Sequence, residues 1–398
     1  MRPLDIAVAG CGTAGMAAAL LLHRDGHRIT LFERFEEARP LGSGLMLQPT
    51  GLAVLERLGL AASTLATGAR VDRLFGVAAG SARTVLDVRY SALRRANAFG
   101  LGIHRAALFG VLHDAVRAAG IPIHSGSEVT GSEAEGGRRR LRFADDSRSP
   151  AFDLVVDALG ARSALAPEAG RTLAYGALWA SLPWPGDGFD SAALQQRYRR
   201  ASVMAGVLPI GRAPGAEGQC AAFFWSLRAD RLEAWRAGGL DRWKAEVAAL
   251  WPATRPLLDS IQDAGQLTFA RYAHRTLRAP AEPALVHIGD AWHSTSPQLG
   301  QGANMALLDA WALALALRES DSLDAGCARA VALRRRHVRL YQAMSRVFTP
   351  VYQSDGRALP FLRDRLVGPL SKLWPATTLQ AAMVSGLVGS PLRPLGLG

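Results

Sequence analysis

A glycine-rich turn near the N-terminus carries the strongest chemical signal in the sequence. Gly10, Gly12 and Gly15 have the spacing G-x-G-x-x-G, and Glu33 follows about 20 residues later. In such a turn the first glycine permits a tight bend, the second lets the backbone approach a pyrophosphate, and the third lets helix and strand pack closely. A carboxylate at the position of Glu33 accepts hydrogen bonds from a ribose diol. The spacing therefore predicts a dinucleotide-binding site.

Regular elements must hold this turn on both sides. Residues 6–9 predict a short apolar strand, residues 14–23 an Ala/Leu-rich helix, and residues 27–32 a second strand that ends on Glu33. This is the βαβ order in which a pyrophosphate lies at the positively polarised N-terminus of the helix. The glycines and the βαβ continuation also argue against a cleaved secretory signal in the first 22 residues.

Composition limits the classes of protein to be considered. The chain has 398 residues, of which 49% are hydrophobic, enough for two or three domains. No apolar run approaches a membrane span, and three scattered cysteines indicate neither a disulfide framework nor a zinc site. The net charge of +12 comes almost entirely from dispersed arginines, without the signature of a nucleic-acid-binding module. We expect a cytoplasmic protein that binds neither nucleic acid nor metal.

The pattern changes in the middle of the chain. Residues 173–182, 202–208 and 220–227 are β-like, and residues 229–251 read as helical. We therefore expect the first part of the dinucleotide-binding domain at residues 1–166, a β-rich substrate domain at 167–275, the second part at 276–320, and a helical region at 321–398. The predicted fold class is α/β, a Rossmann-like domain with an inserted sheet.

Three separated stretches resemble one family, the FAD-dependent aromatic monooxygenases of the para-hydroxybenzoate hydroxylase type, with a flavour of their ubiquinone-biosynthesis branch. The first is the glycine turn with Glu33 and Arg34, and the second is Arg105 at the start of a predicted helix. The third is GDAWHSTSPQLGQGAN at residues 289–304, which follows the family pattern G-D-A-A-H-x-x-x-P-x-x-G-Q-G-x-N except at Trp292.

One motif departs from the family. The family's middle motif reads close to D-G-x-x-S, whereas this chain has Leu159 at the aspartate position and Asp157 two residues earlier. Gly160, Arg162 and Ser163 still match. The departure leaves the role of Asp157 and the contact with the nicotinamide open.

The resemblance implies a glutathione-reductase-type FAD domain and a hydroxylation reaction. NADH or NADPH, bound transiently, would reduce FAD, and O2 would add at flavin C4a to give a hydroperoxide that hydroxylates an electron-rich, hydrophobic aromatic ring. It assigns these residues to FAD: Gly10, Gly12, Ala14, Gly15, Glu33, Arg34, Gly44, Arg105, Gly160, Asp290, Pro297, Gly300, Gln301, Gly302, Ala303 and Asn304. Candidates for catalysis are Pro297, Gln48 and His293, and candidates for the substrate pocket are Trp179, Phe223 and Trp225. The loop at residues 42–48 is expected to lie along the isoalloxazine.

Other functions of the same fold stay open. A flavin-dependent halogenase is disfavoured, because residues 1–243 contain no lysine to capture hypohalous acid and LWASLPWP does not match W-x-W-x-I-P. A flavin reductase acting on isoprenoid double bonds is favoured slightly by V-D-A-x-G at residues 156–160, and a non-catalytic FAD-binding protein is the third alternative. The amphipathic stretches at 359–366 and 379–388 would dock on the core, form a homodimer face or contact a membrane.

Overall fold

The structure is a computed structural model that describes residues 2–36, 43–81, 83–95, 98–167, 170–367 and 371–398. The predicted position of Gly42 in the isoalloxazine loop lies outside these residues. The strands are β1 (Asp5–Ala9), β2 (Arg28–Phe32), β3 (Gly44–Leu47), β4 (Ala69–Val71), β5 (Arg73–Ala78), β6 (Thr84–Arg89), β7 (Gly100–His104), β8 (Ile123–His124), β9 (Val129–Glu135), β10 (Arg138–Phe143), β11 (Leu154–Asp157), β12 (Arg171–Pro183), β13 (Ala193–Arg199), β14 (Val203–Arg212), β15 (Gln219–Arg228), β16 (Thr268–His274), β17 (Ala281–Glu282) and β18 (Leu285–His287). The helices are α1 (Thr13–Arg24), α2 (Pro49–Arg57), α3 (Ala61–Thr67), α4 (Arg105–Ala118), α5 (Leu232–Gly238), α6 (Leu240–Leu250), α7 (Arg255–Asp259), α8 (Asp290–His293), α9 (Gly302–Arg318), α10 (Leu323–Tyr352), α11 (Ala358–Leu362) and α12 (Ala376–Val384).

The first sheet carries the glycine turn. Its described strands have the order β17-β18-β11-β1-β2-β8, and all of them are parallel except the edge strand β17. Helices α1, α4 and α9 cover one face with apolar side chains, and the hairpin of β9 and β10 packs on the other. Because β1, β11 and β18 are parallel neighbours, their carboxyl ends meet at one edge, where ligands of such sheets bind.

The second sheet has the order β16-β12-β15-β14-β13-β5-β6 within the described residues. Helices α6 and α7 cover its outer face, and its inner face packs on the small sheet β3-β7-β4. Strands β5 and β6 form an antiparallel pair. They join the second sheet through the parallel pairing of β5 with β13, although the predicted boundaries assign them to the first domain. The second sheet thus draws strands from both sides of residue 167.

The helical C-terminal region closes around both sheets. Helix α9 is apolar on nearly all sides and packs against α1, α2 and α10. Helix α10 continues to Tyr352 with Pro350 in its last turn, and the shorter helices α11 and α12 follow it. The predicted Rossmann-like domain, inserted sheet and C-terminal helical region are confirmed. None of the helices in the described ranges is long and apolar enough to cross a membrane.

Candidate active site

The glycine turn after β1 contains two glycines, Gly10 and Gly15, whose close packing leaves no room for a side chain. The third, Gly12, faces open space. Gly10 has φ +106°, and a Cβ atom there would lie 2.6 Å from the carbonyl oxygen of Ala158. A Cβ atom on Gly15 would lie 2.0 Å from the carbonyl oxygen of Gly10. No described heavy atom lies within 4 Å of the corresponding position on Gly12. Gly12 therefore leaves room for a ligand to approach the backbone.

The N-terminus of α1 is uncapped. Gly12 precedes the helix without a side-chain cap, the first turn contains no acidic residue, and the first intrahelical bond runs from Met16 N–H to Gly12 O at 3.0 Å. The N–H groups of Thr13, Ala14 and Gly15 therefore have no acceptor within the helix. Free N–H groups at the positive end of a helix form an anion site, which fits a diphosphate.

The backbone around the turn anchors the Glu33 carboxylate. Its Oε2 accepts a hydrogen bond from Cys11 N–H at 3.0 Å, and its Oε1 accepts one from Phe35 N–H at 3.2 Å. A carboxylate has about four acceptor positions, so two remain for a diol. The arrangement fixes the acid at the end of β2 in the place that the sequence predicts for ribose recognition.

Two exposed arginines flank this crevice. Arg105 begins α4, and its backbone N–H donates to the carbonyl oxygen of Ser43 at 2.8 Å. Its guanidinium forms no ion pair or hydrogen bond within the described residues, so its charge is available to an anionic ligand. The guanidinium of Arg34 lies 4.6 Å from the ring centroid of Phe35.

Asp290 presents a carboxyl group without a hydrogen-bond partner among the described residues. It follows β18 and begins α8, with the backbone bend at Gly289, where φ is +58°. The side chain reaches solvent, yet it lies so deep in the crevice that burial raises the pKa of its carboxyl group, against the opposing charges of His293 and Arg105. A solvent-accessible acceptor without a protein partner in the described residues fits a ligand hydroxyl donor.

The loop at residues 294–301, which we call the cofactor loop, leads into the second uncapped helix. A 3-10 turn at Pro297–Leu299 is followed by Gly300 with φ +60° and by Gln301, which precedes α9 without a side-chain cap. The first bond within α9 runs from Met305 N–H to Gln301 O, so the N–H groups of Gly302, Ala303 and Asn304 lack helical acceptors. At Gly302 no described heavy atom lies within 4 Å of a Cβ position.

Asn304 is committed to protein contacts, which corrects the expectation that its side chain pairs with a flavin. Its Oδ1 accepts from Gln48 N–H at 2.7 Å, and its Nδ2 donates to the carbonyl oxygens of Met46 and Gly300 at 3.1 and 3.0 Å. The residue is completely buried. Asn304 therefore joins the cofactor loop to the segment after β3, and its backbone N–H, which has no acceptor within the helix, is the donor left for a ligand.

Gln48 places a side-chain amide beside the cofactor loop. Its Oε1 accepts a hydrogen bond from the hydroxyl group of Tyr90 at 2.6 Å. Its Nε2 lies 3.9 Å from the position of a Cβ atom on Gly300 and makes no hydrogen bond within the described residues. Burial raises the pKa of the Tyr90 hydroxyl, so the phenol stays a neutral donor. Sequence reasoning missed Tyr90, because nothing near it in the chain points to Gln48.

His293 faces away from the crevice into a buried charge network. Its Nε2 lies 2.6 Å from Asp309 Oδ2, and Asp309 Oδ1 accepts from Arg334 Nε at 2.8 Å. Burial alone would raise the pKa of Asp309, but His293 and Arg334 lower it to about 2. The network continues from Arg334 to His337 Nδ1 at 2.9 Å. This geometry assigns His293 to holding α8 and the cofactor loop on α9, in place of the predicted catalytic role.

Asp157 is enclosed by protein partners. Its carboxylate accepts from Ser163 Oγ at 2.6 Å and from Leu159 N–H at 3.0 Å, and it lies 2.6 Å from His287 Nδ1. Asp157 and the His287 side chain are fully buried. The acid thus fixes the turn between β11 and Ser163, which includes Gly160 with φ +81°.

The second sheet separates the three predicted pocket aromatics onto two faces. Trp179 lies on the inner face, where its Nε1 donates to the hydroxyl oxygen of Tyr272 at 2.9 Å. Phe223 and Trp225 lie on the outer face and pack edge-on against Trp243 of α6. Their assignment to the pocket is wrong, because alternate residues of a strand face opposite sides and these two belong to the helix-covered side.

Tyr272 is a further polar group on the inner wall. Burial raises the pKa of its hydroxyl to about 12, while Trp179 and Arg105 lower it. The hydroxyl hydrogen has no acceptor among the described residues. Gly44, predicted to contact FAD, lies where β3 meets the second sheet. A Cβ atom at this position would be 2.5 Å from the side chain of Ile210. No group of three or more potential metal ligands occurs in the described ranges.

Comparisons with known proteins identify the family and the fold of the chain. A family model described as FAD binding domain matches residues 3–326. The chain is 30% identical over 351 residues to 6-methylpretetramide 4-monooxygenase of Streptomyces rimosus, covering 83% of this chain and 80% of that one. It is 25% identical over 329 residues to 2-heptyl-3-hydroxy-4(1H)-quinolone synthase of Mycobacteroides abscessus, covering 81% and 84%. Klebsiella pneumoniae HpxO, solved in complex with FAD and uric acid, superposes with a TM-score of 0.82 at 18% identity over 98% of both chains.

Proposed function

The chain belongs to the FAD-binding domain family and is an FAD-dependent monooxygenase of aromatic substrates, and on that premise we propose how its crevice works. One observation supports this proposal most strongly. Two uncapped helix N-termini, the anchored Glu33 and the unpaired Asp290 converge on one edge of the first sheet. Each of these groups lacks a protein partner that a flavin dinucleotide would supply. The residues present therefore fit the cofactor.

We assign the parts of FAD to these groups as a proposal. The N–H groups at the start of α1 and the guanidinium of Arg105 would hold the diphosphate. Glu33 would accept from the adenosine ribose, and Asp290 from the ribityl chain. The N-terminus of α9, beginning at Gly302, would lie at the isoalloxazine and stabilise negative charge there.

Bound FAD supplies the redox chemistry, taking electrons from NADH or NADPH and activating O2 for transfer of one oxygen atom to the substrate ring. The chain's own residues bind and orient that ring and exclude water. Pro297 has no N–H, and its 3-10 turn sets the shape of the cofactor loop. Within the described residues, the Gln48 amide and the Tyr272 hydroxyl each keep a hydrogen without an acceptor, and we propose that they position oxygen atoms of the substrate. Trp179 orients Tyr272 through its hydrogen bond.

The substrate class that the pocket supports best is a hydrophobic aromatic compound with a ring oxygen. The wall that carries the two donors rests on a buried apolar core between β3 and the second sheet, which includes Met46, Leu208, Ile210 and Ala222. A phenol or a quinolone-type ring would bring an oxygen atom to the two donors. The relatives named above for a pretetramide and for a heptyl quinolone support the same class.

We also propose a cytoplasmic enzyme, monomeric or homodimeric, with peripheral membrane contact through the C-terminal helices. The buried, free state of Cys11, Cys220 and Cys327 suits a reducing compartment. The nicotinamide donor would bind transiently at the surface of the FAD domain.

The testing experiment is a visible spectrum of the purified protein, followed by NADH and NADPH oxidation in air with phenols, quinolones and polycyclic aromatics. We expect a flavin spectrum, oxidation stimulated by one aromatic class, and much less peroxide than nicotinamide consumed. Oxidation without O2 uptake would favour a reductase, halide-dependent product a halogenase, and slow unstimulated reduction a non-catalytic flavoprotein. A colourless protein that takes up no FAD would contradict the proposed site.

A further inference from the structure

Six large apolar side chains are exposed in one C-terminal stretch. We call them the C-terminal apolar patch: Leu359, Phe361, Leu362, Leu373, Trp374 and Leu379. Trp374 is 75% exposed and Phe361 is 61% exposed. Elsewhere in the described chain, Leu65 and Val347 are the large hydrophobic residues with comparable exposure. Single exposed leucines are ordinary on protein surfaces, but such a concentration marks an interaction surface.

Both halves of the patch are carried on elements fixed against one edge strand. The turn after α11 and helix α12 both contact β6, the edge of the second sheet. The guanidinium of Arg363 is buried and donates to the carbonyl oxygens of Val351 and Arg200 at 3.0 Å each. The hydroxyl group of Thr378 donates to the carbonyl oxygen of Ala92 at 3.2 Å. The patch is thus the outer surface of a segment whose inner surface is anchored.

The charges around the patch are positive. Three exposed cations accompany it, namely Arg357, Arg365 and Lys372. None of the three pairs with an acidic side chain within the described residues, and nearby Asp364 already binds Arg363. The guanidinium of Arg365 lies 5.2 Å from the ring centroid of Phe361. Exposed tryptophan and phenylalanine beside unpaired cations suit the interface of an anionic bilayer, where rings enter the headgroup region and cations meet lipid phosphates.

Helix α12 connects the patch to the substrate side of the molecule. Ala381 and Val384 on its inner side pack in the same cluster as Met46 and Tyr90, whereas Leu379 is 55% exposed. An α-helix is about 10 Å across with its side chains. Leu379 of the patch and the cluster that contains Tyr90 therefore lie on opposite sides of a single helix.

We propose that the C-terminal apolar patch docks on an anionic lipid bilayer and brings a membrane-dissolved aromatic substrate to the pocket beside α12. The proposal rests on the proposed function, because it supplies that enzyme with its apolar substrate. It commits to a lipid surface, since the unpaired cations complement lipid phosphates and the most exposed residues are aromatic.

The test is co-sedimentation of the full-length, FAD-loaded protein with two kinds of vesicle, pure phosphatidylcholine and phosphatidylcholine containing phosphatidylglycerol. We expect binding to the anionic vesicles, and a loss of about tenfold or more in the partition coefficient for the double variant Phe361→Ser/Trp374→Ser. Lys372→Glu should weaken binding to the anionic vesicles. The matched control is Leu65→Ser, which removes an exposed leucine on α3 and should bind like the wild type.

Outcomes of this test separate the docking from the proposed function. The flavin spectrum and the substrate-stimulated NAD(P)H oxidation without vesicles report the proposed function in the same preparations, and the double variant should retain both. Wild-type protein that does not bind vesicles, or a double variant that binds them as strongly, would overturn the docking. A dimer in light scattering that the double substitution dissociates, without vesicle binding, would identify the patch as an interface between copies and would also overturn it.

Discussion

Asn304 accepts a hydrogen bond from the backbone N–H of Gln48 at 2.7 Å, although 256 positions separate them in the sequence. The same side chain donates to carbonyl oxygens of Met46 and Gly300. It thereby holds the segment after β3 against the cofactor loop. The two loops that should enclose the isoalloxazine are joined by one buried amide.

Substitution of Asn304 should destabilise the protein and weaken cofactor binding together. Asn304→Ala leaves one N–H and two carbonyl groups without a side-chain partner, so we expect the free energy of unfolding to fall by about 3 kcal/mol. Asn304→Asp keeps an acceptor for Gln48 but places a carboxylate against two carbonyl oxygens, and it should be at least as harmful. Denaturant unfolding and FAD titration by fluorescence measure both effects. Unchanged FAD affinity in both variants would contradict the joining role.

A side chain at Gly302 should block the cofactor and leave the fold intact. Because no described heavy atom lies within 4 Å of a Cβ position there, Gly302→Val meets open space in the protein and would occupy ligand space instead. We expect at least about a hundredfold loss of FAD affinity with little change in apoprotein stability. Gly110→Val is the matched control, since Gly110 lies in α4 with equally open surroundings and should bind FAD normally. Wild-type affinity in Gly302→Val would remove the N-terminus of α9 from the site.

The parts that the sequence predicts well are local. The turn from Gly10 to Gly15 and the acid at Glu33 lie within one βαβ unit, whose spacing fixes its geometry. The face of the sheet on which a given side chain lies is harder to predict. Trp179 and Phe223 both look like pocket residues until the helices that cover one face of the sheet are known. The alternation of side chains along a strand predicts that adjacent residues face opposite sides of the sheet. It does not say which of the two faces the pocket.

Long-range partners explain the other differences. The family pattern predicts a ligand role for Asn304 and leaves the role of Asp157 open. Both side chains instead form hydrogen bonds with distant residues, which no local sequence pattern predicts. Asp157 meets His287 across 130 positions through the pairing of β11 with β18. The strands β5 and β6 likewise join the second sheet through β13, a pairing that depends on topology.

Removal of the Tyr272 hydroxyl should affect substrate binding without affecting FAD. The hydroxyl accepts from Trp179 and has a hydrogen left to donate, so Tyr272→Phe removes a donor that we place at the substrate. We expect a rise of about tenfold in KM for an oxygen-bearing aromatic substrate, with the FAD dissociation constant unchanged. Tyr198→Phe is the matched control, because its hydroxyl already donates to Gln196 Oε1 at 3.0 Å and has no hydrogen left for a ligand. An equal KM in Tyr272→Phe and Tyr198→Phe would exclude Tyr272 from the pocket.

The buried network behind the cofactor loop should make the protein sensitive to acid. His337 lies next to Arg334, and its Nε2 lies 3.0 Å from the carbonyl oxygen of Gly386 in the segment after α12. Burial and the charge of Arg334 lower the pKa of His337 from 6.5 to about 3, although Asp309 opposes the shift. Between these values the unfolded chain binds a proton that the folded protein excludes. Stability from this group is therefore complete above pH 6.5 and is lost as the pH falls toward 3.

The size of this loss follows from the linkage slope of about 1.4 kcal/mol per pH unit for one proton. Between pH 7 and pH 5 the wild type should lose about 2 kcal/mol of unfolding free energy through His337. His337→Gln removes the titration but keeps an amide donor for Gly386, so it should lose about 2 kcal/mol less over the same interval. Other histidines with lowered pKa, namely His27, His104 and His274, act equally in both proteins and cancel in the difference. Denaturant unfolding at both pH values measures this difference, and parallel pH profiles would show that folding does not lower the pKa of His337.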